Sequence, residues 1–163
     1  MRRIVAMVAA FGFVSSICIF ISSFIGATME KLLPMPIVLH IGIIALVASV
    51  VGFERFAGIK PNLSWKEFKA RTPDWVIFGL KLLFLLFCII FVLFLILSRF
   101  ASPKIHDGDY VLSDHGRIAA VLTKTEYLFL KGWELRFFAS GWTLAYFFLM
   151  MYWWFPMSGQ HSD

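Results

Sequence analysis

The chain is short of charge. Only 15% of its 163 residues are Asp, Glu, Lys or Arg, while 60% are apolar, and the mean hydropathy is +0.82. Water-soluble domains carry about a quarter charged residues, so this deficit argues against a soluble fold and for the membrane class. Cysteine is scarce as well, with Cys18 and Cys88 standing alone inside apolar runs. Without a CxxC or Cys/His spacing, neither a zinc site nor a disulfide framework is expected, and each thiol reads as a small hydrophobe. Carboxylates are missing from the apolar runs altogether, which removes the acidic partner that a proton relay or coupled carrier needs at mid-membrane. No internal repeat suggests an inverted-repeat carrier. Basic residues outnumber acidic ones, for a formal charge of +5, yet they flank the apolar runs instead of forming one face. That placement suits lipid headgroups and orientation, and nucleic acid is not an expected partner.

What the chain does have is four long apolar runs, at residues 4–26, 37–53, 75–98 and 137–155. Each is predicted to be a helix, because a segment crossing lipid must satisfy every peptide group internally. The basic start, Arg2 and Arg3, followed by a run longer than a signal peptide's, reads as an uncleaved first helix. Pro36 suits the first turn of the second helix. In "RTPDW", Thr72 is placed to cap the third, with Pro73 at its first position and Asp74 at the positive end of its dipole. The last helix is predicted to start early, at residue 124, because Thr123 and Glu126 have capping-box spacing and no proline follows before Pro156. Its first part, 124–136, would stand outside the bilayer. Trp133 and the Trp153–Trp154 pair would lie about 30 Å apart on it, matching two interfacial aromatic belts. Around residues 64–71, Trp65 and Phe68 oppose Lys66 and Lys69, predicting a short amphipathic helix on the cytoplasmic membrane surface. The fold expected is an all-α membrane protein: one integral domain over 1–163, a four-transmembrane-helix bundle with a small β-hairpin between the third and fourth helices.

Orientation is nearly balanced, since Lys and Arg tie when summed over the two sides. The basic pair before the first helix and the short, basic middle loop break the tie, placing both termini in the cytoplasm.

Packing signals fill the runs. Ser22 and Gly26, Ala45 and Ser49, Ala48 and Gly52, and Gly141 and Ala145 are small pairs four apart, suited to close helix approach. Phe84, Phe87, Phe91 and Phe94 form a stripe on the third run, which can fit against the small residues of the first two helices or equally face lipid or a partner subunit. The polar side chains singled out as candidate functional positions are few. Lys81 lies two turns into the third run and is expected to snorkel to the cytoplasmic face, and His40 is expected at the membrane interface.

The segment "DGDYVLSDHGRIAAVLTKTEY", residues 107–127, is the polar exception. Asp107-Gly108-Asp109 is a turn signal, and "YVLS" and "RIAAVL" are two short runs separated by "DHG". This predicts an extracytoplasmic hairpin over about 107–123, with Gly116 left-handed in a three-residue turn. His106, Asp107, Asp109, Asp114 and His115 are all ligand types. They fall at opposite ends of the hairpin and match no zinc or calcium pattern, so no metal, catalytic or cofactor site is expected. Together with "LKGWELRFFASGWTLAYFF", the segment resembles a pattern in small bacterial multi-pass membrane proteins of uncharacterised role. In these a tyrosine-bearing strand, an HG turn, a second strand and an "EY" helix start precede a final span. The resemblance covers about 107–148 and implies a bacterial inner-membrane setting, without an activity or functional residues to carry over. The function expected is non-enzymatic: an accessory or scaffold protein contacting lipid, a membrane-protein partner or a second copy. The rivals are an immunity protein against a toxin, a small channel or transporter using Lys81 and His40, and a membrane enzyme using His106 or His115.

Overall fold

The computed structural model describes residues 2–28, 30–56, 68–70 and 72–155. Helix α1, Arg2–Ser22, tightens into a 3-10 turn, Ser23–Ile25, and ends at left-handed Gly26, where the missing side chain admits φ 86°. A second 3-10 turn, Glu30–Leu32, leads into α2, Met35–Phe56. Helix α3 spans Asp74–Ser98. Three strands follow: β1, Ser102–His106, β2, Asp109–Asp114, and β3, Arg117–Val121. Helix α4, Lys124–Trp154, is unbroken over 31 residues. Of the surface helix expected at about 64–71, residues 64–67 and 71 lie outside the described residues, and 68–70 are helical.

Two helix starts separate expectation from structure. The Thr123–Glu126 capping box is present in both directions. The Thr123 side chain accepts from the Glu126 backbone N–H at 3.2 Å, and the Thr123 N–H donates to the Glu126 carboxylate at 2.7 Å. Thr72 does not cap α3. Its hydroxyl donates back to the Phe68 carbonyl at 2.7 Å, and Pro73 takes the N-cap position with no side-chain bond.

Helix α4 is the centre. Leu135, Ala139, Trp142, Tyr146 and Leu149 are buried on one seam with four-three-four-three spacing, against Ala9 and Ile19 of α1 and Leu39 and Leu46 of α2. On another face, Phe147 and Met151 meet Val76 and Leu80 of α3. Arg3, Ala6 and Met7 border one groove with Trp153 and Trp154, whereas Arg136 reaches Ser23, so α1 and α4 are antiparallel along their shared length. Helix α3 is antiparallel to α4 too, with Val76 beside Met151 and Phe94 stacked on Phe137 at 5.6 Å.

The close approaches differ from those expected. Phe87, Phe91 and Phe94 gather around Phe137 of α4 at 5.3–5.6 Å, and the Phe87 ring lies 3.3 Å from where a Cβ on Gly141 would sit. The stripe therefore meets α4, not the small residues of α1 and α2, and Phe84 faces outward. Ala45 and Ala48 are exposed, and no atom lies within 4 Å of where a Cβ would stand on Gly52. Gly12 and Gly42 matter instead: a Cβ on either would strike Tyr146.

The polar segment is a three-stranded antiparallel sheet in the order β1-β2-β3, one strand more than the hairpin expected. Asp114 pairs with Arg117 and His106 with Asp109, so both turns have two residues, where three had been expected at "DHG". Asp107–Gly108 and His115–Gly116 all have positive φ, as type I′ turns require. Ala101, Leu112 and Leu130 anchor the sheet on the first turns of α4, where Tyr110 and Tyr127 rings sit 4.8 Å apart.

The helices bury small polar residues beside their apolar core and leave many large apolar side chains outside. Ser16, Ser23, Thr72, Ser98, Ser140, Thr143 and Tyr146 are buried, while Phe11, Ile25, Ile44, Phe78 and Trp75 are more than 60% exposed. Three helical stretches, Arg3–Ile25, Met35–Gly52 and Asp74–Ser98, are long and apolar enough to cross a membrane. In its most apolar 18-residue window the last of these is only 11% buried, against 33% for the first. The C-terminal part of α4 is not among the three, because Ser140, Gly141, Thr143 and its Trp and Tyr residues lower its hydropathy.

Candidate functional site

The four polar positions singled out in the sequence have distinct surroundings. His106 and His115 each neighbour an aspartate: His106 Nε2 lies 3.5 Å from Asp107 and His115 Nδ1 lies 2.6 Å from Asp114. Both pairs are exposed and occupy opposite turns of β2, about 17 Å apart by strand rise. Asp109 is exposed beside the first turn. Among the described residues, no three His, Cys, Asp or Glu side chains come together in a metal-binding group.

His40 is engaged in packing. Its Nδ1 lies 2.9 Å from the Pro36 carbonyl, and Trp142 Nε1–H donates to its Nε2 at 3.4 Å. Both bonds hold together only with the ring proton on Nδ1. The ring also meets Trp142 and Phe138 edge-on, at 5.0 and 5.8 Å.

Lys81 is exposed on α3 and lines an open groove of about 260 Å³ with Leu80, Phe84, Leu144 and Phe148. Among the described residues it makes no hydrogen bond or ion pair. Phe68 packs on Phe148 at 5.4 Å, bringing the chain before α3 to the edge of this groove.

The most connected polar groups had not been singled out. Tyr146 inserts its ring over Gly12 and donates its hydroxyl past Gly42 to the Leu39 carbonyl at 2.8 Å, joining α4 to both α1 and α2. One turn earlier, the Thr143 and Ser16 hydroxyls meet at 3.0 Å, with the Ala139 and Phe13 carbonyls each 2.8 Å away. Two hydroxyl protons serve three contacts there, so at most two of the three are hydrogen bonds at any moment. Near the end of α1, the Arg136 guanidinium donates to the Ser23 carbonyl at 3.1 Å and stacks on Phe24 and Trp133 at 4.4 and 4.8 Å. A cation there meets the negative end of the α1 dipole and a carbonyl beyond the helix ladder. Trp133 is half-buried under Arg136, Trp153 is buried and Trp154 is exposed. Gly12 and Gly42 were the available signal for Tyr146, and Arg136 sat one residue before the run considered. Lys131 and Glu134 form a 2.8 Å ion pair on the same stretch of α4.

At the start of α4, the Thr123 backbone N–H, and secondarily its side chain, hold the Glu126 carboxyl below its ordinary pKa. These arrangements bind helix to helix and sheet to helix. Comparison with protein-family models, curated proteins and solved structures finds no match to this chain.

Proposed function

We propose that the chain is a four-span integral membrane protein that works by contact with lipid and with another membrane protein, without catalysis of its own. The observation that carries the membrane reading is the exposed apolar surface: Phe11, Ile25, Ile44 and Phe78 point outward, while the helix contacts bury Ser16, Thr143 and Tyr146 beside the apolar core. Water would penalise such a surface at roughly 25 cal/mol per Å² of apolar area, whereas hydrocarbon does not. In lipid, interhelical cohesion comes from close packing and hydrogen bonds, the devices found at Gly12, Gly42, Ser16 and Thr143.

The fourth span is argued from alignment. Helix α4 lies against α1 from Arg136, beside Ser23, to Trp153 and Trp154, beside Arg3. It thereby covers the same thickness as an apolar helix of membrane length. Its lower hydropathy suits a central helix that meets protein more than lipid. An even number of spans puts both termini on one side. The basic pair in the first turn of α1 argues for the cytoplasm, leaving the sheet outside, and the sequence resemblance favours a bacterial inner membrane.

The membrane reading is tested by an alkaline carbonate wash of membranes from expressing cells. The chain is expected in the pellet; release into the supernatant would reject the reading. The contact reading is tested by purification in mild detergent, where a stoichiometric membrane-protein partner is expected. Purification alone, with a cellular phenotype abolished by His106→Ala or His115→Ala, would favour chemistry instead.

A further inference from the structure

Lys81 poses a problem that the described residues leave open. Its Cα lies about 10 Å along α3 from Asp74, well inside a membrane-length helix. Trp75 and Trp154 are 63% and 61% exposed at that end of the helices, where interfacial tryptophans belong. Lys81 therefore roots more than a turn deeper than the ring of Trp75. Asp74 stands two turns earlier on the same helix, yet forms no ion pair with it. A charge at such depth needs a counter-charge, and its stem lets the ammonium rise toward the headgroups.

The groove beneath supplies the other half of a ligand site. Leu80, Phe84, Leu144 and Phe148 present apolar walls around the lysine stem. Phe68 closes on Phe148 from the loop side, and its neighbour Lys69 is exposed, adding positive charge near the mouth. The site is cationic above and greasy below. We propose that the α3–α4 groove binds an anionic phospholipid, its phosphate paired with Lys81 and one acyl chain lying between Phe84 and Phe148. The assignment rests on the membrane reading above and adds to it a lipid class and a place.

The experiment uses the full-length chain in nanodiscs or detergent and compares phosphatidylglycerol with phosphatidylcholine of identical acyl chains, by native mass spectrometry. The wild type is expected to hold one phosphatidylglycerol in preference to phosphatidylcholine. Lys81→Gln should weaken phosphatidylglycerol about fivefold and leave phosphatidylcholine unchanged, while Lys81→Arg should retain the preference. Leu144→Trp fills the groove without touching the charge and should weaken both lipids. Equal binding of the two lipids by the wild type would overturn the proposal, as would undiminished phosphatidylglycerol binding by Lys81→Gln. Arg3→Gln serves as a reference for general surface charge: an equal loss there would show diffuse attraction and also overturn it. A chain retained in the carbonate pellet but without lipid preference rejects this site alone and leaves the membrane reading standing.

Discussion

Tyr146 shows how much one side chain can organise in this fold. Its ring fills the space left by Gly12, and its hydroxyl passes Gly42 to reach the Leu39 carbonyl. The two glycines are therefore coupled to different parts of one residue, which double mutants can separate. A Cβ on Gly42 meets the hydroxyl first and finds the next ring atom at 3.5 Å, an ordinary contact. Gly42→Ala should cost about 1–3 kcal/mol in the wild type, from overpacking and the displaced hydroxyl, and close to nothing more in Tyr146→Phe. Gly12→Ala should remain costly in both backgrounds, because there the Cβ strikes the ring itself. Unfolding in detergent, followed by circular dichroism, gives the four free energies; additive costs for Gly42 would break the account. Little of this was legible beforehand. The sequence displayed small residues in quantity, but which of them receive an aromatic depends on how the helices face one another.

At the scale of elements, the capping box was the most readable feature and the sheet was half-read. Thr123 and Glu126 sit three apart before an apolar run, a purely local arrangement, and the structure realises it in full. Strand β1 left no comparable signal, since Pro103 interrupts it and its partner lies across the Asp107–Gly108 turn. Thr72 was misread because Pro73 moves the helix start by one residue and the Phe68 carbonyl offers its hydroxyl a nearer acceptor.

The box carries a pH dependence whose sign follows from the depressed Glu126 pKa. A carboxyl that is more acidic when folded stabilises fully above its unfolded value, about 4.3, and loses that contribution as pH falls through the lower native value. Protection of the Thr123 amide, its exchange measured against the intrinsic rate at each pH, should therefore stay high at neutral pH and fall only in acid, whereas in Glu126→Ala it should be low throughout. The turns make a second test. His115 and Gly116 both have positive φ, so Asn at 115 should be tolerated, while Gly116→Val should destabilise the sheet by about 1–2 kcal/mol. Chemical shifts of the strands, with those of α1–α3 unchanged, would report it.

For the molecule as a whole, the apolar runs fixed where the long helices lie but not how they assemble. A run reports its affinity for lipid; it says nothing of rank among its neighbours. The most apolar helix, α3, leaves most of its residues exposed, and the central position fell to α4. Orientation can be tested at the tip of the sheet, where the His115 side chain is 96% exposed. In a background lacking Cys18 and Cys88, His115→Cys should react with an impermeant thiol reagent in intact spheroplasts. Reaction only after lysis would place the sheet in the cytoplasm and invert the topology.

The central place of α4 has a consequence for how such a protein is made. Ribosomes deliver the chain in order, so on the proposed membrane reading three greasy segments would enter the bilayer before the one that gathers them has been synthesised. Until then Gly12 and Gly42 face no ring, and the Ser23 carbonyl has no guanidinium. Arrival of the last helix is thus the event that turns a loose set of inserted segments into a defined object, and a nascent chain stalled just short of it would offer quality-control proteases three unclasped helices.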